Sequence, residues 1–173
     1  MNCSKSWLQA IWKRLSKMIG LDVGDRRIGV AAADGLGLTA QGLPTIERRR
    51  LSDDLDSLIR IITERNSSEI VVGLPKNMDG SVGSQGEKVR RFTEALTHRM
   101  VEHELDPPSI VYWDERLTTV AAQRMLIDAD ISRKKRKGAV DKIAAVLILQ
   151  GYLDHLSRRG SAVTGSPAID SLE

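Results

Sequence analysis

The chain has 173 residues, of which 41% are hydrophobic and 28% are charged, a balance typical of one soluble globular domain with a substantial core. Its single cysteine excludes an intrachain disulfide and a cysteine-based zinc site, so a reducing cytoplasm is the expected compartment. The net charge of +3, with basic runs at 48–50 and 133–137, favours a polyanionic partner, although such runs are also common on solvated loops. Because no apolar run approaches the roughly 20 residues of a membrane-spanning helix, stable membrane insertion is not expected.

The two ends of the chain differ in composition from its middle. Residues 1–17 carry apolar side chains at helical spacing, interspersed with basic residues and without any acid. They predict a helical extension that is docked on the domain or frayed, with a peripheral membrane or nucleic-acid contact or a short transit-like peptide as the alternatives. The Ser- and Gly-rich segment 157–173 predicts a disordered tail. One globular domain is therefore expected over residues 18–156.

The first half of this domain predicts strands followed by a helix. Two apolar runs, 18–23 and 28–33, are separated by a short turn and predict an antiparallel hairpin. A third strand is expected over 39–46, with Pro44 either placing it at a sheet edge or marking its end. Apolar residues between Leu51 and Ile62 then recur with helical periodicity, which predicts an amphipathic helix.

The second half alternates strands and helices. The apolar runs 69–74 and 109–113 predict buried strands, and periodic apolar residues predict helices over 89–100, 117–125 and 140–156. A glycine-rich loop of about a dozen residues follows the strand at 69–74, and loops of that length are often functional. The order β-β-β-α-β-α-β-α-α predicts an α/β fold in which a mixed five-stranded sheet is flanked by helices.

Acidic residues stand at the ends of elements that should be buried. Asp22 closes the first strand, Asp114 and Glu115 close the last, and Asp141 opens the last helix on its packing face. Each acid alone would also suit a helix cap or a hydrogen-bonded turn. Adjacent carboxylates repel one another unless cations lie between them, and hard oxygen ligands select Mg²⁺ or Mn²⁺ over zinc. Together the acids predict a site for two such ions, an arrangement that hydrolyses phosphodiesters.

Four segments, in this order, resemble the motifs of the YqgF family: IGLDVGDRRIGVA, VVGLPKNMDGSVGSQ, YWDERLTT and KKRKGAVDKIAAVLILQGYL. These are bacterial ribonuclease H-fold proteins, also called RuvX-type Holliday junction resolvases, and the similarity covers about 18–156. It implies a ribonuclease H-like core and a divalent-metal endonuclease. The implied substrate is either the precursor of small-subunit ribosomal RNA, in maturation of the pre-16S 5′ end, or branched DNA. Members of the family usually begin near MIGLD, so Met18 is an alternative start.

The same resemblance implies the identity of the site residues. It makes Asp22, Glu115 and Asp141 the metal-binding and catalytic acids. In RuvC-like nucleases the second acid lies on the fourth strand, but this chain has Gly73 and Leu74 there and its DER motif supplies an acid from the fifth strand. Asp114 is therefore an alternative to Glu115, because adjacent strand residues point to opposite faces. Basic residues of these motifs suit the phosphate backbone, namely Lys76, Arg116, Lys135, Arg136 and Lys137.

Other functions compete with a metal-dependent nuclease. One is a nucleic-acid-binding factor on the same scaffold, whose acids are remnants or hold a structural ion. Another is an actin-like or sugar-kinase-like ATPase, but those proteins need two such domains and this chain has room for one. The sequence does not distinguish RNA from DNA as the substrate, and ribosomal precursor particles are further expected partners. A homodimer would suit a symmetric junction, whereas a monomer would suit the trimming of RNA ends.

Overall fold

A computed structural model describes residues 17–114 and the helix backbone of 133–164, with the side chains of that helix described for 142–159. The strands are β1 (Met18–Val23), β2 (Arg27–Ala33), β3 (Ala40–Gly42), β4 (Ile46–Glu47), β5 (Glu69–Leu74) and β6 (Ser109–Asp114). The helices are α1 (Leu51–Glu64), α2 (Ser84–Glu102) and α3 (Arg133–Thr164). Within these described segments, no helix combines the length and the apolar character that crossing a membrane requires.

The strands form one mixed sheet in the order β3-β2-β1-β5-β6, and β4 also pairs with β2. β1 is antiparallel to β2 and parallel to β5, which is in turn parallel to β6. The predicted α/β class with a mixed sheet is confirmed. The expected third strand is divided into β3 and β4 on either side of Pro44, because proline has no N–H to donate to the ladder; both parts lie along β2.

Helices pack on both faces of the sheet, and each face has its own apolar core. On one face, α1 and α2 contribute Leu55, Leu58, Phe92 and Leu96 to a core that includes Ile19, Leu21, Ile28 and Leu74. On the other face, α3 contributes Ala145, Ile148 and Leu149, which pack with Met18, Ala31 and Val71. The central strands are therefore buried on both sides, which explains their continuous apolar runs.

α3 packs directly against the backbone of Gly20 in β1. A Cβ atom there would lie 2.7 Å from Cβ of Leu149 and 2.8 Å from the carbonyl oxygen of Ala145. Along β3, the side chain of Lys142 covers Gly42, whereas Gln150 accepts a hydrogen bond from the backbone N–H of Ala40. Because β3 is parallel to β1, α3 runs antiparallel to both strands. Its N-terminal part therefore lies toward the C-terminal end of β1.

The bounds of α3 are wider than the sequence predicts. The helix was expected over 140–156, but it begins at Arg133, so the basic run belongs to its first turns, and it continues to Thr164. Lysine and arginine are good helix formers, and the next proline after this stretch is Pro167, so nothing in the sequence interrupts the backbone hydrogen bonds. The predicted extension at 1–17, apart from Lys17, lies outside the described residues, as do the predicted helix over 117–125 and the segment 165–173.

We predict that Gly20→Ala lowers the free energy of unfolding by about 1–3 kcal/mol, since the added methyl group would overlap backbone atoms of α3 rather than the end of a flexible side chain. Urea denaturation followed by circular dichroism measures this value. Gly35→Ala is the matched control, because no atom lies within 4 Å of a Cβ at Gly35. Equal stabilities of the two variants would contradict the close packing of α3 on β1.

Candidate functional site

Asp22 lies half-buried at the C-terminal end of β1, on the sheet face that α3 covers. Side chains two residues apart on a strand share a face, and both Met18 and Gly20 contact α3. The cross-strand partner of Asp22 on β2 is Gly29, and the β5 register, which pairs Leu21 with Val72, continues to Gly73. The positions directly across from Asp22 on the two neighbouring strands are therefore both glycines.

The backbone of α3 brings position 141 to the level of Asp22. Ala145 contacts Gly20, and position 141 lies one helical turn earlier on the same side of the helix, about 6 Å along its axis. Asp22 lies two residues beyond Gly20, which is about 7 Å along β1. Because helix and strand are antiparallel, both displacements have the same direction. The side chain of Asp141 itself lies outside the described part of α3.

Asp114 lies on the opposite face of the sheet from Asp22. It is in register with Leu74, which belongs to the core beneath α1 and α2. Tyr112, two residues earlier on β6, is hydrogen-bonded through its hydroxyl to Oγ1 of Thr93 on α2 at 2.6 Å. The carboxylate of Asp114 pairs with Nζ of Lys76 at 3.5 Å. This geometry disfavours Asp114 as the alternative second acid, while Glu115 lies outside the described residues.

Lys76, a predicted phosphate contact, stands at the base of a compact loop that follows β5. It forms a β-bridge with Val82, and between them the N–H of Asn77 donates to the carbonyl of Ser81 at 2.9 Å. A positive φ of 86° at Gly80 closes the turn, a conformation that glycine adopts without strain. The loop is therefore ordered by its own hydrogen bonds, and its ion pair with Asp114 ties it to β6.

Arg48 holds the turn between β1 and β2 against the start of α1. Its Nε donates to the buried carboxylate of Asp54 at 3.2 Å, its Nη1 donates to the carbonyl of Gly24 at 3.0 Å, and its guanidinium lies 5.1 Å from the ring centroid of Phe92. The sequence suggests only a block of three positive charges at 48–50. An acid in the first turn of the following helix is the one signal that this arginine has a structural partner.

The same turn is tied to α2 by an exposed ion pair. Nζ of Lys88 donates to Oδ1 of Asp25 at 2.9 Å. This hydrogen bond and the positive charge of Lys88 lower the pKa of the Asp25 carboxyl below its ordinary value. The segment that directly follows Asp22 is thus fixed from two directions, by Arg48 and by Lys88.

Trp113 faces α3, on the side of the sheet that carries Asp22. Its ring packs edge-on against Tyr152 and His155 of α3, with ring centroids 5.6 Å and 5.5 Å away. Its Nε1 is buried and has no hydrogen-bond partner among the described residues. The side chains of β6 therefore alternate between the two faces of the sheet: Tyr112 and Asp114 lie on the α1 and α2 face, and Trp113 lies on the α3 face.

The described side chains cover only part of the predicted site. Within residues 17–114 and 142–159, no group of three His, Cys, Asp or Glu side chains is placed to hold a metal ion. Of the predicted site residues, only Asp22 and Lys76 fall in that part of the chain. The others have side chains outside it, namely Glu115, Arg116, Lys135, Arg136, Lys137 and Asp141.

Comparison with known proteins gives a consistent result. A family model described as "RuvX: Holliday junction resolvase" matches residues 16–155. A protein of Desulforamulus reducens named "Putative pre-16S rRNA nuclease" is 56% identical over 138 residues, which are 80% of this chain and 96% of that protein. A protein of the same name from Clostridium novyi is 54% identical over 140 residues, 81% of this chain and 99% of its own length. Among solved structures, "T. thermophilus RuvC in complex with Holliday junction substrate" matches 83% of this chain and 96% of its own with 12% identity and a TM-score of 0.49.

We predict that Arg48→Gln lowers the free energy of unfolding by about 2–3 kcal/mol, because it leaves the buried Asp54 carboxylate without a charged hydrogen-bond donor. Arg49→Gln is the control. Only the backbone N–H of Arg49 bonds Asp54, at 3.0 Å, so its substitution should change stability by less than about 0.5 kcal/mol. Thermal and urea denaturation of both variants provide the measurement. Equal effects would contradict a structural role specific to Arg48.

Proposed function

The chain belongs to the RuvX Holliday junction resolvase family, and we propose that it is a divalent-metal-dependent endonuclease acting on structured nucleic acid. The substrate we propose is precursor small-subunit ribosomal RNA, with cleavage that matures the 5′ end of pre-16S rRNA. This choice is supported by relatives that share more than half of their residues with the chain and carry that name. Branched DNA is the second candidate, and the description of the family model favours it.

The proposal rests on one observation: position 141 of α3 lies opposite Asp22 along the length of β1. Two carboxylates held close together repel each other when both are ionised. A cation between them removes this cost, and an all-oxygen donor set suits Mg²⁺ or Mn²⁺. Glycines stand directly across from Asp22 on both neighbouring strands. The residues present therefore fit a divalent ion.

Glu115 is the third acid of the proposed site. β6 is described up to Asp114, whose carboxylate belongs to the α1 and α2 face. Since side chains alternate along a strand, we propose that Glu115 faces Asp22 and α3. We therefore assign the metal ions, proposed to be two, to Asp22, Glu115 and Asp141. Bound Mg²⁺ or Mn²⁺ would supply positive charge to the phosphate oxygens and lower the pKa of a water molecule.

The course of the α3 backbone supports a substrate-binding role for the basic residues at its start. α3 begins with Arg133, and its N-terminal part lies toward the C-terminal end of β1. The helix thus carries the backbone of positions 135–137 beyond the level of position 141, farther from Gly20. There Lys135, Arg136 and Lys137 would contact the phosphate backbone, whose binding positions a substrate without specifying its sequence. Arg116 is proposed to contact phosphate as well. Lys76 is proposed for the same role, in which a phosphate would compete with Asp114 for its ammonium group.

We predict that Asp22→Asn lowers Mg²⁺-dependent cleavage more than about 100-fold, since changes to groups that merely orient a metal ligand already cost 10–100-fold. The assay follows cleavage of end-labelled pre-16S leader RNA and of four-way junction DNA, each with Mg²⁺ and with chelator. Asparagine preserves the shape of the side chain, so binding of both substrates should persist. Cleavage at the wild-type rate would remove Asp22 from the reaction. If the wild-type protein binds either substrate in chelator but cleaves neither in Mg²⁺, the non-catalytic alternative is supported instead.

A matched pair of variants distinguishes the two acids at the end of β6. Glu115→Gln should lower cleavage more than about 100-fold, as Asp22→Asn does. Asp114→Asn should stay within about 10-fold of wild type, because its ion pair with Lys76 lies at the base of the β5–α2 loop and outside the proposed metal site. Single-turnover cleavage rates at saturating Mg²⁺ measure both. The reverse ranking would show that Asp114 supplies the second ligand.

A further inference from the structure

Three exposed arginines lie together near Asp22. Arg26 belongs to the turn between β1 and β2, and Arg49 and Arg50 directly precede α1. The backbone N–H of Arg48 donates to the carbonyl of Arg26 at 3.0 Å, which continues the ladder that pairs Arg27 with Glu47. The two segments are therefore neighbours in space. We refer to Arg26, Arg49 and Arg50 as the arginine surface.

The fold does not use the side chains of the arginine surface. Within the described part of the chain, none of the three guanidinium groups forms an ion pair, whereas the neighbouring Arg48 and Arg27 are paired with Asp54 and Glu47. Like charges held on adjacent backbone segments repel one another, and a polyanion would relieve this repulsion. Guanidinium groups also match phosphate oxygens with two parallel hydrogen bonds.

The arginine surface lies on the other side of the sheet edge from the start of α3. Arg26 lies beside Arg48, in the segment that leads into α1, and Arg49 and Arg50 directly precede that helix. The turn that holds Arg26 begins two residues after Asp22, within about 10 Å along the chain. Positions 135–137 of α3 approach the same edge from the opposite face. Asp22 thus stands between two positive segments.

We propose that the arginine surface binds the phosphate backbone of the substrate on the α1 side of Asp22. This inference rests on the proposed function, because it assigns the surface to the same nucleic acid that the acids would cleave. A double-helical or folded strand has phosphates on more than one side, so it can contact the arginine surface and the first turns of α3 together. An isolated single strand would reach fewer of these cations.

Two double variants with equal loss of charge test the proposal. Arg49→Gln/Arg50→Gln removes two charges at the start of α1, and Arg60→Gln/Arg65→Gln removes two exposed charges near its end, at the opposite edge of the sheet. Affinity for a fluorescein-labelled RNA hairpin is measured by anisotropy in chelator between 50 and 200 mM salt. Circular dichroism melts of every variant establish that it is folded.

The variant at 49 and 50 should bind the hairpin at least about tenfold more weakly at the lowest salt, and its slope of log K against log salt should be shallower by about 1.4–1.8. The variant at 60 and 65 should match the wild type in both quantities. Unchanged binding by the first variant, or equal weakening by both, would overturn the proposal.

Cleavage in Mg²⁺, measured in parallel with wild-type protein, separates this proposal from the nuclease proposal. Wild-type cleavage together with unchanged binding by the variant at 49 and 50 would overturn the arginine surface and leave the nuclease proposal intact. Binding that depends on the arginine surface, without cleavage of RNA or junction DNA, would support the surface and overturn the nuclease.

Discussion

The approach of α3 to β1 at Gly20 is the constraint on which the rest of the site depends. With no side chain between them, the carbonyl of Ala145 and the Cβ of Leu149 lie directly against the strand backbone. This contact fixes both the height of the helix above the sheet and its position along β1. Because the rise of one helical turn nearly equals that of two strand residues, it also sets position 141 level with Asp22. A side chain at Gly20 would therefore shift position 141 relative to Asp22 as well as disturb the core.

The elements around Asp22 are held before any substrate arrives. β1 is buried between two cores, and the turn that follows it is fastened to α1 by Arg48 and to α2 by Lys88. The loop after β5, at the same edge, is closed by its own hydrogen bonds. Pre-organised groups of this kind lose little conformational freedom when they bind a phosphate or a metal ion. The fold thus fixes the turn that follows Asp22 and the loop that follows β5.

The sequence predicts this fold well where the pattern is local and less well where tertiary contacts decide. β1 and β5 match their apolar runs because both strands are buried on two faces, and Pro44 explains the division of the third strand. The long α3 exceeds its prediction, since apolar periodicity fades outside 140–156 while helix propensity does not. The structural role of Arg48 depends on Asp54, Gly24 and Phe92, which are brought together only by the fold. Asp22 and Asp114 lie on opposite faces of the sheet. This follows from the alternation of side chains along each strand once the register of β5 with β1 and β6 is known, and one sequence alone does not give that register.

The central claim is that Asp22 and Asp141 hold the same metal ion. Calorimetric titration with Mn²⁺ of the wild type, Asp22→Asn, Asp141→Asn and the double variant tests it most directly. If both acids share one site, each single variant weakens binding at least about tenfold, and the double variant is little weaker than either single one, because contacting groups are not additive. Wild-type affinity in either single variant, or losses in the two that simply add, would contradict a shared site.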